Sequence, residues 1–240
     1  MPRIPENPSD LYAPATVKQL FSEMSKTYGV VNVISSFGFV RRWRRQCVDL
    51  AAIETDHDVV DLMTGMGECF PSIARRSRKI RGVDFCTEMC DRAKQTAERL
   101  GLPEECVFEE DVLETTLLPE CADRIVCSFG LKTLDDEGTE RLAAQVFRLL
   151  RPGGRYSFIE VSEPPGWLLR ATYLPYIRLV VPVIGMVFAG GFCDYGKLGV
   201  YTERFGNSDR AVEIFRQAGL EAEPTSFFFG CATGILGGKP

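Results

Sequence analysis

The sequence has few of the residues that bind metals, and it lacks the loop that binds nucleotide phosphates. His57 is the one histidine in 240 residues, and none of the nine cysteines belongs to a Cys-x-x-Cys pair. A metal site of the usual cysteine and histidine kind cannot be assembled from this set, so we expect no metal. No Gly-x-x-x-x-Gly-Lys-Ser/Thr sequence is present, which excludes a P-loop.

Charge and hydropathy argue against nucleic acid and against a membrane span. The formal net charge is -5, whereas binding to phosphate backbones requires a basic face. The basic run Arg41–Arg45 is interpreted first as a solvated helix face, with a binding patch as the alternative. The longest apolar stretch, Tyr173–Phe192, contains Arg178 and two prolines, which favours a buried or surface-docking segment over a membrane span.

Apolar runs alternate with amphipathic stretches over residues 59–161. Strands are predicted at 59–62, 80–84, 107–110, 124–128 and 156–161, with helices at 69–77, 87–100 and 138–150 between them. This alternation requires a parallel sheet with right-handed crossovers. Helices at 17–28 and 41–51 precede the sheet, and a helix at 208–218 and β-like runs at 225–229 and 232–236 follow it. We therefore predict an α/β, Rossmann-like fold whose seven-stranded, mostly parallel sheet ends in an antiparallel hairpin.

The first predicted strand ends in an acid and a glycine turn, in the order Asp61-Leu-Met-Thr-Gly65-Met-Gly67. The next strand ends in Asp84, where nucleotide-binding sheets of this kind contact a ribose. This pattern predicts an adenosine-type cofactor. A dinucleotide fingerprint needs a third glycine where this chain has Phe70, which disfavours NAD and FAD.

S-adenosylmethionine fits the pattern better because it has no phosphate. A glycine turn lets the backbone approach its amino-acid tail, and Asp61 can complement the positive charge there. Asp84 can accept both ribose hydroxyls, Asp111 can bind the adenine amino group, and the segment from Ser128 can form the floor below the methyl group. Each feature taken alone also has a structural explanation, such as a turn or a helix cap. Their common order along alternating strands favours the cofactor.

The sequence resembles the S-adenosylmethionine-dependent C-methyltransferases of ubiquinone and menaquinone biosynthesis, a UbiE-like family. The likeness runs from about Val17 to Lys239 and includes Asp61–Glu68, Gly82–Phe85 and the tag Ser128–Lys132. It implies a class I methyltransferase fold and cofactor contacts at five positions. Those positions are Met66, Asp84, Asp111, Val112 and Ser128. Together with the residue pattern, the predicted cofactor-binding residues are Asp61, Thr64, Gly65, Met66, Gly67, Asp84, Phe85, Met89, Asp111, Val112, Ser128 and Phe129.

The chain departs from that family mainly on the substrate side. Lys132-Thr133 replaces the usual Arg-Asn pair of the tag, and Gly199–Arg204 differs from the family's Ala-Glu-Ser-Ile-Arg. In the cofactor loop, Met63 stands where a small residue is usual and Met66 where threonine is common. The resemblance is therefore closer for the cofactor half than for the substrate half.

Methyl transfer needs alignment and exclusion of water more than it needs a nucleophilic side chain. His57 precedes the first strand and is not expected to act. The predicted acid–base candidates are Glu160, Tyr195, Tyr201 and Lys132. Glu160 could instead pair with one of the nearby arginines, and an acidic phenol or enol would need little help from any base.

We predict an enzyme that methylates a small, largely apolar or aromatic acceptor, with carbon methylation of a quinol-like or other phenolic or enolic ring as the first choice. The alternatives are O- or N-methylation of a natural product and a module that binds the cofactor without transfer. No nucleic-acid partner is expected. The segment Tyr173–Phe192 suits an apolar lid over the acceptor or a peripheral contact with a membrane, with a homodimer contact or plain core as the alternatives.

An odd number of cysteines without a signal peptide favours a cytoplasmic location, with membrane association at the surface as an addition. The predicted division is a flexible tail at 1–15 and one domain at 16–240. That domain comprises N-terminal helices (16–56), a cofactor-binding core (57–163), a substrate-covering insertion (164–207) and a C-terminal helix and hairpin (208–240).

Overall fold

The computed structural model of the protein describes residues 11–24, 31, 33–34, 36–166, 171, 176 and 195–240. Seven strands form one sheet: β1 (Val59–Leu62), β2 (Ile80–Asp84), β3 (Val107–Glu109), β4 (Ala122–Ser128), β5 (Leu150–Val161), β6 (Glu221–Phe227) and β7 (Ala232–Gly238). The helices are α1 (Pro14–Met24), α2 (Phe39–Leu50), α3 (Phe70–Ile73), α4 (Thr87–Arg99), α5 (Asp136–Leu149), α6 (Tyr195–Phe205) and α7 (Asp209–Gln217). Short 3-10 turns occur at Glu104–Cys106, Leu131–Thr133 and Phe228–Gly230.

The sheet has the order β3-β2-β1-β4-β5-β7-β6. β1 to β5 pair in parallel, and β7 lies antiparallel between β5 and β6. The predicted mostly parallel sheet with a C-terminal antiparallel hairpin is therefore confirmed. The chain leaves β1 toward β2 on one side and later returns to β4 on the other side. The crevice at such a reversal of strand order is where open α/β sheets bind ligands.

Helices cover both faces of the sheet. On one face, residues such as Ile125 and Phe158 pack with α5 and α7. Their chain neighbours Val126 and Ile159 point to the other face, where α2, α3 and α4 pack. Successive side chains of a strand point to opposite faces, so the central strands are apolar on both sides. This double burial explains why β1 reads as a continuous apolar run rather than as an alternating one.

The sequence placed most elements well and misplaced a few ends. α1 begins at Pro14 rather than at residue 17, because proline suits the first turn of a helix. The first crossover helix is a single turn, α3, and does not continue to residue 77. β6 spans Glu221–Phe227 rather than 225–229, because an edge strand needs no apolar pattern and tolerates Pro224.

Several predictions fall on parts of the chain outside the described residues. They are the end of the first helix at Tyr28, most of the tail at 1–15, and nearly all of Tyr173–Phe192. Across the parts that the structure does describe, no helix combines the length and the apolar character needed to cross a membrane.

Two glycines in the sheet region give a test of the hairpin packing. A Cβ atom at Gly237 of β7 would lie 1.8 Å from the carbonyl oxygen of Glu221 in β6, whereas a Cβ at Gly153 meets nothing within 4 Å. We expect Gly237→Ala to lower the free energy of unfolding by about 3 kcal/mol, because β6 must shift to relieve the clash. Gly153→Ala should cost about 1 kcal/mol, since only its positive φ is strained.

Urea unfolding of the two variants and the parent chain measures this difference. Equal losses in the two variants would show that β6 does not pack on β7 in the register described.

Candidate active site

Two adjoining cavities open at the carboxyl ends of β1, β2 and β4. The small cavity, of about 50 Å³, is lined by Val17, Phe21, Arg44, Met63, Gly65, Glu68, Asp84, Phe85, Met89, Ser128, Phe129, Gly130 and Thr133. The large cavity, of about 240 Å³, includes Tyr12, Val17, Met63, Asp84, Phe85, Asp111, Val112, Leu113, Thr133 and Leu134 in its lining. Residues from the ends of three neighbouring strands thus meet at one edge of the sheet, as the sequence predicted.

Asp84 lines both cavities at the end of β2. Its Oδ2 accepts a hydrogen bond from the Gly65 N–H at 2.8 Å, and its Oδ1 accepts one from the Cys86 N–H at 3.0 Å. Burial raises the pKa of the carboxyl group, and these two N–H groups oppose the rise. Asp84 is therefore held in one orientation while its remaining lone pairs can accept from a ligand diol.

The glycine loop is shaped by close packing as well as by turn geometry. Gly67 has φ of 70°, and a Cβ atom there would lie 2.8 Å from the Phe70 ring. Gly65 has φ of 55° and offers its N–H to Asp84. Glycine is required where the backbone adopts such angles at so short a distance. The backbone of the loop can therefore form part of the wall of the small cavity.

Two buried polar atoms near the small cavity have no partner among the described residues. One is Oδ1 of Asp61, whose other oxygen accepts from the Thr64 hydroxyl at 2.6 Å. The other is Nε of Arg44, whose Nη2 lies 2.7 Å from Glu68 and whose guanidinium lies 5.1 Å from the centre of the Phe129 ring. An unmet acceptor and an unmet donor, both on charged groups, match the ammonium and carboxylate of an amino-acid ligand.

Burial also changes the protonation of Asp61. The side chain is 1% exposed, and desolvation raises the pKa of its carboxyl group to about 7. The Thr64 hydrogen bond and the Arg44 charge act in the opposite direction. Asp61 is not part of either cavity lining, so it lies one layer beneath the loop that Gly65 presents to the small cavity.

Met63 lies at the junction of the two cavities and lines both. Its φ is 52°, an uncommon angle for a residue with a side chain. A Cβ atom at Gly130 would lie 2.5 Å from the Met63 sulfur, so glycine at 130 makes room for this side chain. The methionine thus narrows the passage that a ligand spanning both cavities must occupy.

The large cavity combines apolar walls with charged side chains, namely Asp84, Asp111, Asp135, Glu137 and Arg141. Val17, Val112 and Leu134 contribute apolar surface, and Asp111 contributes its carboxylate. The Asp111 Oδ1 accepts from the Leu113 N–H at 2.9 Å, which fixes the turn after β3. Flat apolar walls beside an acceptor suit a heteroaromatic ring with an amino group.

Most of the predicted cofactor-binding residues line a cavity. These are Gly65, Asp84, Phe85, Met89, Asp111, Val112, Ser128 and Phe129. Asp61 and Thr64 lie behind the loop, and Gly67 shapes it without lining a cavity. Met66 turns away and packs beside Leu11, Leu20 and Tyr201.

The predicted acid–base residues do not line the two cavities. Glu160 is fully buried, and its Oε1 lies 2.9 Å from Nζ of Lys132, which is itself buried. Glu160 also accepts from the N–H groups of Lys132 and Val161 at 3.2 and 2.8 Å. The pair therefore joins the turn after β4 to the end of β5. The sequence suggested an arginine as the alternative partner of Glu160, whereas its ion-pair partner is Lys132. A catalytic role for either residue stays a prediction.

The two tyrosines are placed differently. Tyr201 is fully buried, its hydroxyl donates to the Leu11 carbonyl at 2.5 Å, and burial raises its pKa to about 12. In this arrangement the phenol anchors the N-terminal segment to α6. Tyr195 begins α6, and its side chain lies outside the described residues.

Sequence reasoning missed Arg44 and Glu68 as members of the site. The buried face of α2 is formed by Val40, Trp43, Arg44, Cys47 and Val48. Arg44 thus occupies an apolar position of an amphipathic helix, four residues after Val40. A charged residue at such a position is rare unless it is paired, and this was the available signal.

Comparison with known proteins identifies the family. The model of the ubiE/COQ5 methyltransferase family matches residues 10–239. A demethylmenaquinone methyltransferase of Thermus thermophilus is 30% identical over 223 residues, which cover 92% of this chain and 100% of the relative. A demethylmenaquinone methyltransferase of Bacillus cereus is 26% identical over 228 residues, covering 93% of this chain and 95% of the relative.

Solved structures share the fold at lower identity. A SAM-dependent methyltransferase of Thermotoga maritima superposes with a TM-score of 0.57 at 17% identity, covering 92% of this chain and 100% of its own. The predicted class I methyltransferase fold is therefore confirmed, and so are the predicted enzyme class and the cofactor S-adenosylmethionine. The chain belongs to the ubiE/COQ5 methyltransferase family.

Proposed function

We propose that the protein transfers a methyl group from S-adenosylmethionine to a ring carbon of a reduced, quinol-like acceptor. The observation that carries this proposal is the family match over residues 10–239, together with relatives named demethylmenaquinone methyltransferases. The cavities support it because the residues that line them fit the cofactor.

The residues present fit the cofactor part by part. Asp84 lies where it can accept from both ribose hydroxyls, and the large cavity with Asp111 suits the adenine. The unpartnered atoms of Asp61 and Arg44 suit the ammonium and carboxylate of the amino-acid tail. When bound, the cofactor supplies a methyl group on a positively charged sulfur, which needs no further activation.

The chain contributes orientation and a dry environment for the transfer. Phe21, Met89 and Phe129 give the small cavity apolar walls that exclude water. The acceptor's ring carbon forms the new C–C bond, the S–C bond breaks, and its electron pair stays on sulfur. A phenolic proton leaves the acceptor before attack, and the proton on the methylated carbon leaves afterwards.

The titratable side chains on the small cavity wall are already engaged. Arg44 pairs with Glu68, and Asp84 is held by two N–H groups. A reduced quinol provides an acidic phenol and an electron-rich carbon of its own, so it requires little help from a base. This property favours it over acceptors that must be deprotonated by the enzyme.

The proposal predicts the bond in the product and the redox state of the substrate. The purified chain, S-adenosylmethionine and a short-chain naphthoquinone should give a new carbon-bound methyl group when the quinone is chemically reduced, and none when it stays oxidised. Mass spectrometry and NMR of the product measure this. A methoxy or N-methyl product would favour the O- or N-methyltransferase alternative and contradict carbon methylation.

Met63 gives a prediction about cofactor affinity. Met63→Gly and Met63→Ala should each tighten binding of S-adenosylhomocysteine about tenfold, because each removes the side chain that separates the two cavities. The strain at φ of 52° acts on the free and the bound protein alike, so relieving it with glycine should raise the melting temperature rather than the affinity. Calorimetric titration of the three proteins measures the series. Weaker binding in both variants would show that the methionine contacts the cofactor rather than restricting it.

Asp61 gives a prediction about pH. A carboxyl group with a pKa of about 7 is largely neutral below that pH, whereas an ammonium ligand favours the ionised form. The affinity for S-adenosylhomocysteine should therefore rise as the pH increases from about 5 to about 7, by up to roughly tenfold per unit. Asp61→Asn should bind more weakly and lose most of this dependence.

The same variant has a readout in the absence of cofactor. The raised pKa means that the stability contributed by neutral Asp61 is lost as the pH rises through about 7. Asp61→Asn should then raise the melting temperature more at pH above 7 than below it. A melting temperature that changes equally at both pH values would contradict the raised pKa.

A further inference from the structure

Exposed apolar side chains are concentrated at one place on the described surface. Large apolar residues with high exposure in the described parts are Ile34 (37%), Phe37 (78%), Leu118 (74%), Phe147 (37%), Phe228 (48%) and Phe229 (80%). Four of these six belong to two neighbouring segments, the turn before α2 and the turn between β6 and β7. Such a concentration marks an interaction surface, whereas single exposed residues do not.

The contact between Phe39 and Phe228 joins the two segments into one surface, which we call the aromatic ridge and define as Phe37, Phe39, Phe228 and Phe229. Phe37, two residues before Phe39, stacks on Tyr176 with ring centres 5.7 Å apart. The Phe39 and Phe228 ring centres lie 4.4 Å apart, and those of Phe228 and Phe229 lie 5.6 Å apart. Beside them is a groove of about 280 Å³, which Arg42, Trp43 and Ser226 help to line.

The backbone holds these rings outward at angles that phenylalanine rarely adopts. Phe37, Phe228 and Phe229 have φ of 49°, 45° and 56°. A bulky residue at positive φ is strained and persists where the surrounding structure fixes it. The turn is held in place where Gly230 packs closely on the Pro165 ring. A Cβ atom at position 230 would lie only 2.6 Å from that ring.

The helix that carries Phe39 also carries positive charge, and one of its arginines, Arg42, lines the groove beside the ridge. Arg41, Arg42 and Arg45 are exposed on α2, and no ion pair holds them within the parts of the chain that the structure describes. The acid on the exposed side of α2, Asp49, is already paired with Arg76. A free basic cluster is unusual in a chain whose net charge is -5. It complements a surface of negative charge.

The ridge and the cofactor cavities face the same edge of the sheet. Ala232, which follows the Phe228–Gly230 turn, pairs with Val161 at the carboxyl end of β5. It also pairs with Phe227 at the end of β6. The turn therefore lies at the edge where β1, β2 and β4 present the cavities.

We propose that the aromatic ridge and the three arginines dock the protein on the surface of a bilayer that contains anionic phospholipids. The rings would enter the interfacial region, and the arginines would contact the headgroups. If the acceptor is a lipid-soluble quinol, docking would also bring the cavities to its source, and this consequence alone rests on the proposed function.

Other occupants fit the surface less well. A twofold dimer through the ridge would bring two copies of the arginine cluster to one interface, where their like charges repel unless acids of the other copy face them. Nucleic acid would require positive charge along an extended track, whereas this cluster covers one helix of an acidic chain. A bilayer with anionic headgroups offers an apolar region for the rings and negative charge for the arginines.

Vesicle co-sedimentation of the full chain tests the proposal. Vesicles of phosphatidylcholine mixed equally with phosphatidylglycerol should bind the protein, and vesicles of phosphatidylcholine alone should bind it much more weakly. Phe229→Asn should reduce binding about tenfold, because it removes the ring while asparagine tolerates the backbone angle. Each of Arg41→Gln, Arg42→Gln and Arg45→Gln should reduce it about fivefold.

Matched controls come from the opposite edge of the sheet. Leu118 is exposed to a similar extent as Phe229, and Arg155 is an exposed arginine at the start of the parallel part of β5. Leu118→Asn and Arg155→Gln should leave vesicle binding unchanged, and circular dichroism checks that every variant is folded.

Three outcomes would overturn the proposal. They are equal binding to both vesicle types, equal losses in the ridge and control variants, and binding to a single-stranded oligonucleotide or self-association in place of vesicles. None depends on methyl transfer, which the product assay measures with a soluble acceptor. Failure of docking and failure of the proposed function are therefore separate results.

Discussion

The site depends on the hydrogen bonds that tie the carboxylate of Asp84 to the Gly65 and Cys86 N–H groups. One bond joins the end of β2 to the loop after β1, and the other fixes the start of α4. Two strands and a helix thus have their relative positions set by one side chain. Since that carboxylate also lines both cavities, the interaction that orders the loops presents the acceptor atoms to the ligand. A change in β1–β2 register would move the whole site.

The sequence predicted the central strands more reliably than the periphery. β1 and β2 were placed to the residue because both are largely buried and carry an acid, Asp61 or Asp84, at or next to their last position before a turn. β6 was misplaced because an edge strand leaves half its residues exposed and carries no such signal. Phe228 and Phe229 looked like strand residues, but tertiary packing against Pro165 holds them in a turn at positive φ. The local sequence pattern does not predict a backbone φ angle that is imposed by packing against a residue distant in the chain.

The same distinction applies to the site. The acids at strand ends were predictable because parallel strands end at one edge of a sheet. The Arg44–Glu68 pair was not, because it joins a helix before the sheet to the glycine loop. The sequence suggested an ion pair of Glu160 with an arginine, but neither its pairing with Lys132 nor the burial of that pair. A charged residue can form a buried ion pair within the protein or face a ligand. Which of the two it does depends on tertiary packing, which the spacing of residues in the sequence does not specify.

Unmet charge at the cofactor end and exposed aromatic rings at the sheet edge have a common physical origin. Each group would be more stable elsewhere: Asp61 and Arg44 in water or fully paired, and Phe228 and Phe229 in the core. A fold that keeps them in place gives up some stability that binding can restore. Docking on a bilayer would cover the exposed rings. Binding of the cofactor's zwitterionic amino-acid tail would pair the buried charged groups. Because both sets lie at one edge, the proposed quinol-like acceptor, if it is lipid-soluble, and the water-soluble cofactor would reach the same site from different phases.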